Sequence, residues 1–284
     1  YECRRENTDA AFGPPQVIPE VDGWPCTPWI TADRRTLVLM NPGGPGNMGS
    51  SQDLYMRQRV DEKDPWGQPV NLETVNHLGH DQSPCLSSDG LTLYFGSLRG
   101  EGYGGHDMWK ATRKSLDAPF GDITNLGPTI NTYIQERDMH LCSDDRTLLF
   151  VRQHNEGTVS TSVLHMAVPD ERGGYHVQPL DVPFQGMMMD PCLSHDGRTL
   201  LFVWNGPSGS GELDLWQMRR VPKADVITTP QPALATVETP FANTLGMRFV
   251  PVPIAGGPTD QQRVLFSVWE TRVQDYAAFV KETA

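Results

Sequence analysis

The sequence predicts an all-β chain: a β-propeller of four full four-stranded blades plus one strand of a preceding blade, followed by a small truncated α+β segment. Three observations carry this prediction. Phe12-Gly13, Trp66-Gly67, Phe120-Gly121 and Tyr175-His176 recur at a spacing of about 54 residues, close to the length of one propeller blade. Asp33, Asp89, Asp144 and Asp196 are each followed three residues later by Thr36, Thr92, Thr147 and Thr199. Between these markers lie short runs of β-branched and aromatic residues, bounded by Gly- and Asp-containing turns.

The second unit shows the plan most clearly. Ser83 to Ser87 is a short first strand before the turn Ser88-Asp89-Gly90. Thr92 to Ser97 reads as a second strand, and the Gly-rich run Arg99 to Gly105 as a loop. Asp107 to Thr112 is a third strand and Phe120 to Leu126 an outermost fourth. Four antiparallel strands joined by short turns make one blade. Unit one repeats this with Pro28–Asp33, Thr36–Met40 and Asp53–Tyr55. Unit three follows with Met139–Asp144, Thr147–Val151 and Val163–His165, and unit four with Pro191–Asp196, Thr199–Val203 and Asp214–Trp216. Unit three is degenerate, because Ser162 and Leu164 replace the Asp and the aromatic residue of its third strand. Tyr1 to Gly13 aligns with Trp109 to Gly121, so the chain is expected to open inside a blade and to be a piece of a longer protein. The four units either close as a small ring or form an arc of a larger one.

Each repeated Asp has a local task. Its carboxylate accepts hydrogen bonds from N–H groups two residues on, Gly90 and Gly197 supply positive φ, and the following Thr adds a hydroxyl bond across the turn. Recurrence in every unit argues for a structural role. Tyr55, Trp109 and Trp216 share one register of the third strand and are expected to pack between neighbouring blades.

Composition narrows the function classes. The chain has 284 residues, 38% hydrophobic and 20% charged, with 27 Gly and 24 Pro. That is the balance of a folded chain that turns often. A net charge of −12 argues against nucleic acid as partner, since backbone phosphates require clustered Lys and Arg. No apolar run within the sequence is long enough for a membrane-spanning helix. The five cysteines, Cys3, Cys26, Cys85, Cys142 and Cys192, show no CxxC or Cys/His ligand spacing. They are most simply free buried thiols, with at least one disulfide as the alternative.

The pattern P-x-[LI]-[ST]-x-D-[GR]-x-T-L-x-[FL] followed by D-[LM]-[WY] covers residues 12–220 and resembles the WD40-like repeats of TolB-type propellers. The resemblance implies an interaction platform that binds a protein, peptide or glycan, and a location outside the cytoplasm. It also has the outline of the sialidase Asp-box, but Gly90 directly follows Asp89, and Leu93 and Leu200 stand where that motif carries Trp.

Loops leading into the first strands are expected to gather at a channel mouth. Asp81, Asp138 and Asp190 are the candidate binding residues there, as part of an acidic ring for a cation or a basic peptide. Asp138 and Asp190 both fall six residues before the turn Asp. Met187-Met188-Met189 reads as buried lining or an adaptable apolar patch. His77 and His80 lack a third ligand nearby. No residue is assigned to catalysis, a cofactor or a metal.

The repeat stops after Arg220, giving expected domains of 1–220 (propeller), 221–237 (linker) and 238–284. The linker is Pro/Thr/Ala-rich. Beyond it, Phe241–Pro253 and Arg263–Val268 read as strands. Trp269–Lys281 reads as a helix opened by a capping box at Thr271 and Gln274. Asn243–Val252 and Glu270–Val280 together resemble the opening of the formylglycine-generating enzyme family, the sulfatase-modifying factors. In that family this unit is scaffold, and the chemistry belongs to a later copper-binding cysteine pair. No Cys follows Cys192 in this sequence. The leading expectation is therefore a non-catalytic propeller binding module that presents a sulfatase-modifying-factor-like domain. The alternative is an accessory part of a formylglycine-generating-type oxidase whose catalytic region lies beyond residue 284.

Overall fold

The recurring Asp turn is the local structure from which each sheet starts. Thr31 Oγ1 donates to Asp33 Oδ1 (2.6 Å) and accepts the Thr36 N–H (3.0 Å), while Arg35 N–H donates to the same carboxylate oxygen. Ser87 with Asp89, Leu91 and Thr92 makes the same set, as does Ser194 with Asp196, Arg198 and Thr199. Arg34, Gly90, Asp145 and Gly197 supply the left-handed residue after the Asp, with φ between 55° and 70°. In these three turns the hydroxyl comes from the residue two before the Asp, not from the Thr three after it as the sequence reading expected. The third turn explains the difference. Cys142 stands where the others have Ser or Thr, and there Thr147 Oγ1 donates to Asp144 Oδ2 instead (2.6 Å).

The structure is a computed structural model. It describes residues 1–7, 10–18, 26–47, 52–156, 159–180, 182, 186–206, 213–219, 241–242, 248–253 and 263–267, the last three ranges as backbone only. The predicted linker 221–237, the helix 269–281 and the segment 243–247 lie outside these residues. The fold is all-β and of the propeller class, with four separate up-and-down antiparallel sheets. The first contains β1 (Cys26–Ile30), β2 (Thr36–Asn41), β3 (Asp53–Gln58) and β4 (Val70–Asn71). The second contains β5 (Asp81–Leu86), β6 (Thr92–Ser97), β7 (Asp107–Thr112) and β8 (Gly121–Asn125). The third contains β9 (Gln135–Leu141), β10 (Leu148–Glu156), β11 (Val159–Pro169) and β12 (Tyr175–Pro179). The fourth contains β13 (Met188–Leu193), β14 (Thr199–Trp204) and β15 (Asp214–Arg219). Among the described residues the fourth sheet thus has three strands, not the expected four. A further meander joins β16 (Phe241–Ala242), β17 (Arg248–Pro253) and β18 (Arg263–Ser267).

The degenerate third unit has the longest hairpin among the described residues. Its β10 and β11 stay paired from Leu148↔Ala167 to Glu156↔Val159. At the N-terminus the predicted strand is a short ladder: Glu2 pairs with Gln16, and Gly13 N–H donates to the Arg4 carbonyl. The second sheet pairs Lys110 with Thr124 and Thr112 with Gly121. The alignment of Tyr1–Gly13 with Trp109–Gly121 makes these equivalent pairs, so the ladder corresponds to the third and fourth strands of a sheet.

The chain divides into two compact units, residues 1–102 with 108–125 and residues 103–107 with 126–284. In the first unit, Val38, Met40, Leu54 and Leu72 of the first sheet bury against Leu93, Phe95, Trp109 and Phe120 of the second. In the second unit, Leu149, Val151 and Leu164 meet Phe202, Trp204 and Trp216. Trp204 and Trp216 lie edge to face with ring centroids 4.7 Å apart. Trp109 and Trp216 therefore pack between sheets, and each such buried side chain stabilises by about 1.5–3 kcal/mol.

The repeat marker Phe/Trp-Gly has a partner that sequence reading missed. Arg5, Arg59 and Arg113 lie over Phe12, Trp66 and Phe120 at 4.5, 4.1 and 4.5 Å from the ring centroids. Arg59 Nε also donates to the Arg34 carbonyl, and Arg113 Nε to the Gly90 carbonyl, both at 2.8 Å. One guanidinium thus ties the end of the third strand to the first turn of its own sheet and covers the aromatic residue that opens the fourth. In the third sheet Val168 occupies this position before Tyr175, so the clamp is missing there.

Replacing Arg113 with Met should cost about 3 kcal/mol in urea unfolding, from the loss of charged hydrogen bonds and the cation–π contact. Lys should recover less than half of that, because a single ammonium cannot reach the Gly90 and Leu116 carbonyls together. Full recovery by Lys would show that charge alone matters at this position.

Candidate binding site

Each of the four sheets from β1 to β15 carries a β-bulge at the same place in its first strand. Thr27-Pro28 oppose Leu39, Ser83-Pro84 oppose Phe95, Asp138-Met139 oppose Phe150, and Asp190-Pro191 oppose Phe202. The first residue of every pair is left-handed: Thr27, Ser83, Asp138 and Asp190 have φ of 46°, 50°, 55° and 48°. Proline at the second position suits a bulge, where no ladder donor is needed. A left-handed non-Gly residue costs about 1–3 kcal/mol. A bulge re-aims its side chain and is characteristic of functional edges.

Bulge residues of adjacent sheets meet within each unit. In the first unit, Ser83 N–H donates to Thr27 Oγ1 at 3.2 Å. In the second unit the corresponding residues are Asp138 and Asp190, two carboxylates in place of two hydroxyls. Burial pushes the Asp190 carboxyl up to about 7; repulsion from Asp138 adds to this, and Arg137 opposes it. Asp138 is largely buried, while the Asp190 side chain still reaches solvent. Arg137 is also held by Gln153, with Nη1 to Oε1 at 3.0 Å. This geometry can receive a positively charged group, or share one proton between two carboxyls.

The third predicted residue has a different setting. Asp81 is fully buried. Its carboxylate accepts the His77 N–H (2.7 Å) and lies 3.1 Å from Arg99 Nη2. Arg99 in turn donates to the Val75 carbonyl and lies over the Phe95 and Trp109 rings. The third sheet repeats the arrangement with Glu136, Arg152, and the Thr129 and Ile130 carbonyls. Burial pushes both carboxyls up, and the hydrogen bonds and the arginines pull them back. Asp81 belongs to a repeated internal ion pair and does not join the Asp138–Asp190 pair.

Of the remaining candidates, Met188 is buried, and Met187 and Met189 are half-buried. His77 is exposed, and its Nδ1 accepts the Gly79 N–H. No disulfide links the five cysteines, and the burial expected of all of them holds for two. Cys85 and Cys142 are buried, and Cys3, Cys26 and Cys192 are exposed. His140 occupies the position of Cys85 and Cys192; burial lowers its pKa to about 4 against a backbone hydrogen bond at Leu193. Among the described residues, no helix is long and apolar enough to cross a membrane.

No protein-family model matches the chain, and neither does any curated protein. Solved structures similar to it include TolB from Acinetobacter baumannii, at 13% identity and TM-score 0.41, covering 87% of this chain and 52% of that one. The endo-arabinase from Bacteroides thetaiotaomicron is similar at 17% identity and TM-score 0.46, over 72% of this chain and 76% of that one. The alpha-L-arabinofuranosidase PaAbf62A from Podospora anserina is similar at 11% and 0.44, over 74% and 77%. The chain spans about half the length of TolB. At these values the likeness is one of fold, and the propeller assignment rests on the sheets themselves.

The raised pKa of Asp190 has a defined effect on stability. Its contribution is fully present below the usual value of 3.8 and is lost as pH rises through about 7. Asp190→Asn should therefore melt above the parent at pH 8, with the difference shrinking towards pH 5. His140 titrates alike in both proteins and cancels. Equal melting temperatures at pH 8 would show that Asp190 is not strained by its neighbour.

Proposed function

We propose that this chain is a binding module whose Asp138–Asp190 pair receives a cationic side chain of a protein or peptide ligand, and which presents a sulfatase-modifying-factor-like domain. One observation carries the reading. Two neighbouring first strands use the same strained bulge to bring two carboxylates together, and the equivalent position in the first unit is neutral. Two like charges in one place cost energy. A ligand cation that ionises both recovers that cost and adds charge-assisted hydrogen bonds. The net charge of −12 supports a basic partner through long-range attraction. The second half of the reading rests on the sequence resemblance of Asn243–Val252 and Glu270–Val280 to the sulfatase-modifying factors.

The pair also favours a second reading. A carboxyl with a raised pKa beside an ionised one is the arrangement used in general acid catalysis, and such a site would hydrolyse its ligand. Binding without turnover separates the two.

The test is fluorescence anisotropy of a labelled tetra-arginine peptide on the full chain. Binding at pH 8 should weaken about tenfold or more in the Asp138→Asn/Asp190→Asn double variant. Binding to the parent should weaken as pH falls through 7 and Asp190 takes up a proton. Equal affinity for parent and double variant would refute the site, as would binding of calcium alone with no effect of the peptide.

A further inference from the structure

The long hairpin of the third sheet carries a chain of side-chain hydrogen bonds that ends beside the carboxylate pair. Ser160 Oγ donates to Asn155 Oδ1 at 2.8 Å. Gln153 Nε2 donates to the same oxygen at 3.1 Å. Gln153 Oε1 accepts from Arg137 Nη1 at 3.0 Å. Gln153 is buried, and Arg137 is the residue before Asp138 in β9.

The repeat marks this chain of bonds as an addition. β2, β6 and β14 end at Asn41, Ser97 and Trp204, each two residues past the one that faces the bulge. β10 runs on to Glu156. β3, β7 and β15 start at Asp53, Asp107 and Asp214, the position of Ser162, whereas β11 starts three residues earlier at Val159. Gln153, Asn155 and Ser160 all lie in that extension. At the position of Arg137 the other first strands have Cys26, Gln82 and Met189, and at that of Gln153 the other sheets have Pro42, Leu98 and Asn205. The cation and its holder thus occur together, in the sheet that supplies the first carboxylate.

The charge of Arg137 reaches the pair, since it draws the Asp190 carboxyl down against burial and Asp138. A guanidinium next to two carboxylates gains most by closing on them with bidentate hydrogen bonds. A bond to a buried amide restrains that movement. On the reading of the pair as a cation site, we propose that Gln153 is a positioning residue that holds Arg137 back from Asp138 and Asp190, so that the extended hairpin keeps the pair open to the cation of a ligand. Arg137 is then an internal competitor, and ligand affinity depends on where it is held.

The probe is the labelled tetra-arginine peptide on the full chain at pH 8. Gln153→Leu should weaken its binding about fivefold, and Arg137→Gln should strengthen it about fivefold. In the Arg137→Gln background, Gln153→Leu should have no further effect. Gln153→Glu still accepts from Arg137 and should not weaken binding. Arg172→Gln, at an exposed turn before β12, should change affinity by less than about twofold, because solvent screens that charge. A ligand-free measurement separates the position of Arg137 from the binding role of the pair. Asp138 and Arg137 are the charges that act on Asp190. Asp190→Asn should therefore raise the melting temperature at pH 8 more in the Arg137→Gln background than in the parent, and less in the Gln153→Leu background. Equal gains in all three backgrounds overturn the proposal, as does an effect of Gln153→Leu on the peptide that persists without Arg137. Gains in the expected order, with a peptide affinity indifferent to the Asp138→Asn/Asp190→Asn double variant, overturn the cation site instead.

Discussion

The Asp turn and the arginine that holds it are the constraint on which the rest depends. A sheet of four short strands has little local stability, since most of the strands are only five or six residues long. The turn fixes the register of the first two strands through bonds from a hydroxyl and an N–H to one carboxylate. Those bonds also hold Asp89 below the usual carboxylate range, with the Ser87 hydroxyl as the largest cause. Arg113 then carries that register to the third strand through Gly90, and to the fourth through Phe120. Once four strands are in register, their two faces alternate correctly, and adjacent sheets can bury Leu, Phe and Trp against each other.

A second layer of constraint lies under the loops. Asp81 with Arg99 and Glu136 with Arg152 place a guanidinium under the loop carbonyls at equivalent positions. A buried ion pair is weak evidence for net stability, yet losing one partner leaves an uncompensated charge. Here the pair sets loop position. It gives the segments entering β5 and β9 the same path, and the bulges at Ser83 and Asp138 begin two residues later in both.

Much of this was legible in the sequence, and the failures have physical causes. The strands Thr92–Ser97 and Asp107–Thr112 were read to the residue, because β-branched and aromatic content there is bounded by Asp and Gly. The Asp138–Asp190 correspondence was also legible, through its fixed distance from the turn Asp. The bulge that makes those positions special was not read, although Pro28, Pro84 and Pro191 inside otherwise regular first strands are its signal. Asp81 was grouped with the pair because acidity and loop position look alike in sequence. Its burial depends on Arg99, 18 residues away, and only the folded sheet brings them together. Arg5, Arg59 and Arg113 each precede the marker aromatic by seven residues, and that spacing was open to view. Charged residues at strand ends are usually solvated, and only stacking on a ring distinguishes these.

The degenerate third unit shows which parts of the repeat can be exchanged. It has Cys142 in place of the turn hydroxyl and Val168 in place of the clamp arginine, and it has lost the third-strand Asp and aromatic residue. It compensates with length: β10 and β11 extend their ladder well beyond the six-residue strands of the other sheets. Phe150, at the position of Phe95 and Phe202, stacks on His165 with ring centroids 5.5 Å apart. A sheet released from the shared clamp is freer to vary at its bulge. This is the unit in which Asp138 stands where the first two sheets have Thr27 and Ser83, beside a second aspartate, Asp190, from the next sheet. The binding role proposed for the Asp138–Asp190 pair would thus involve the sheet that keeps the fewest of the repeat's turn and clamp contacts.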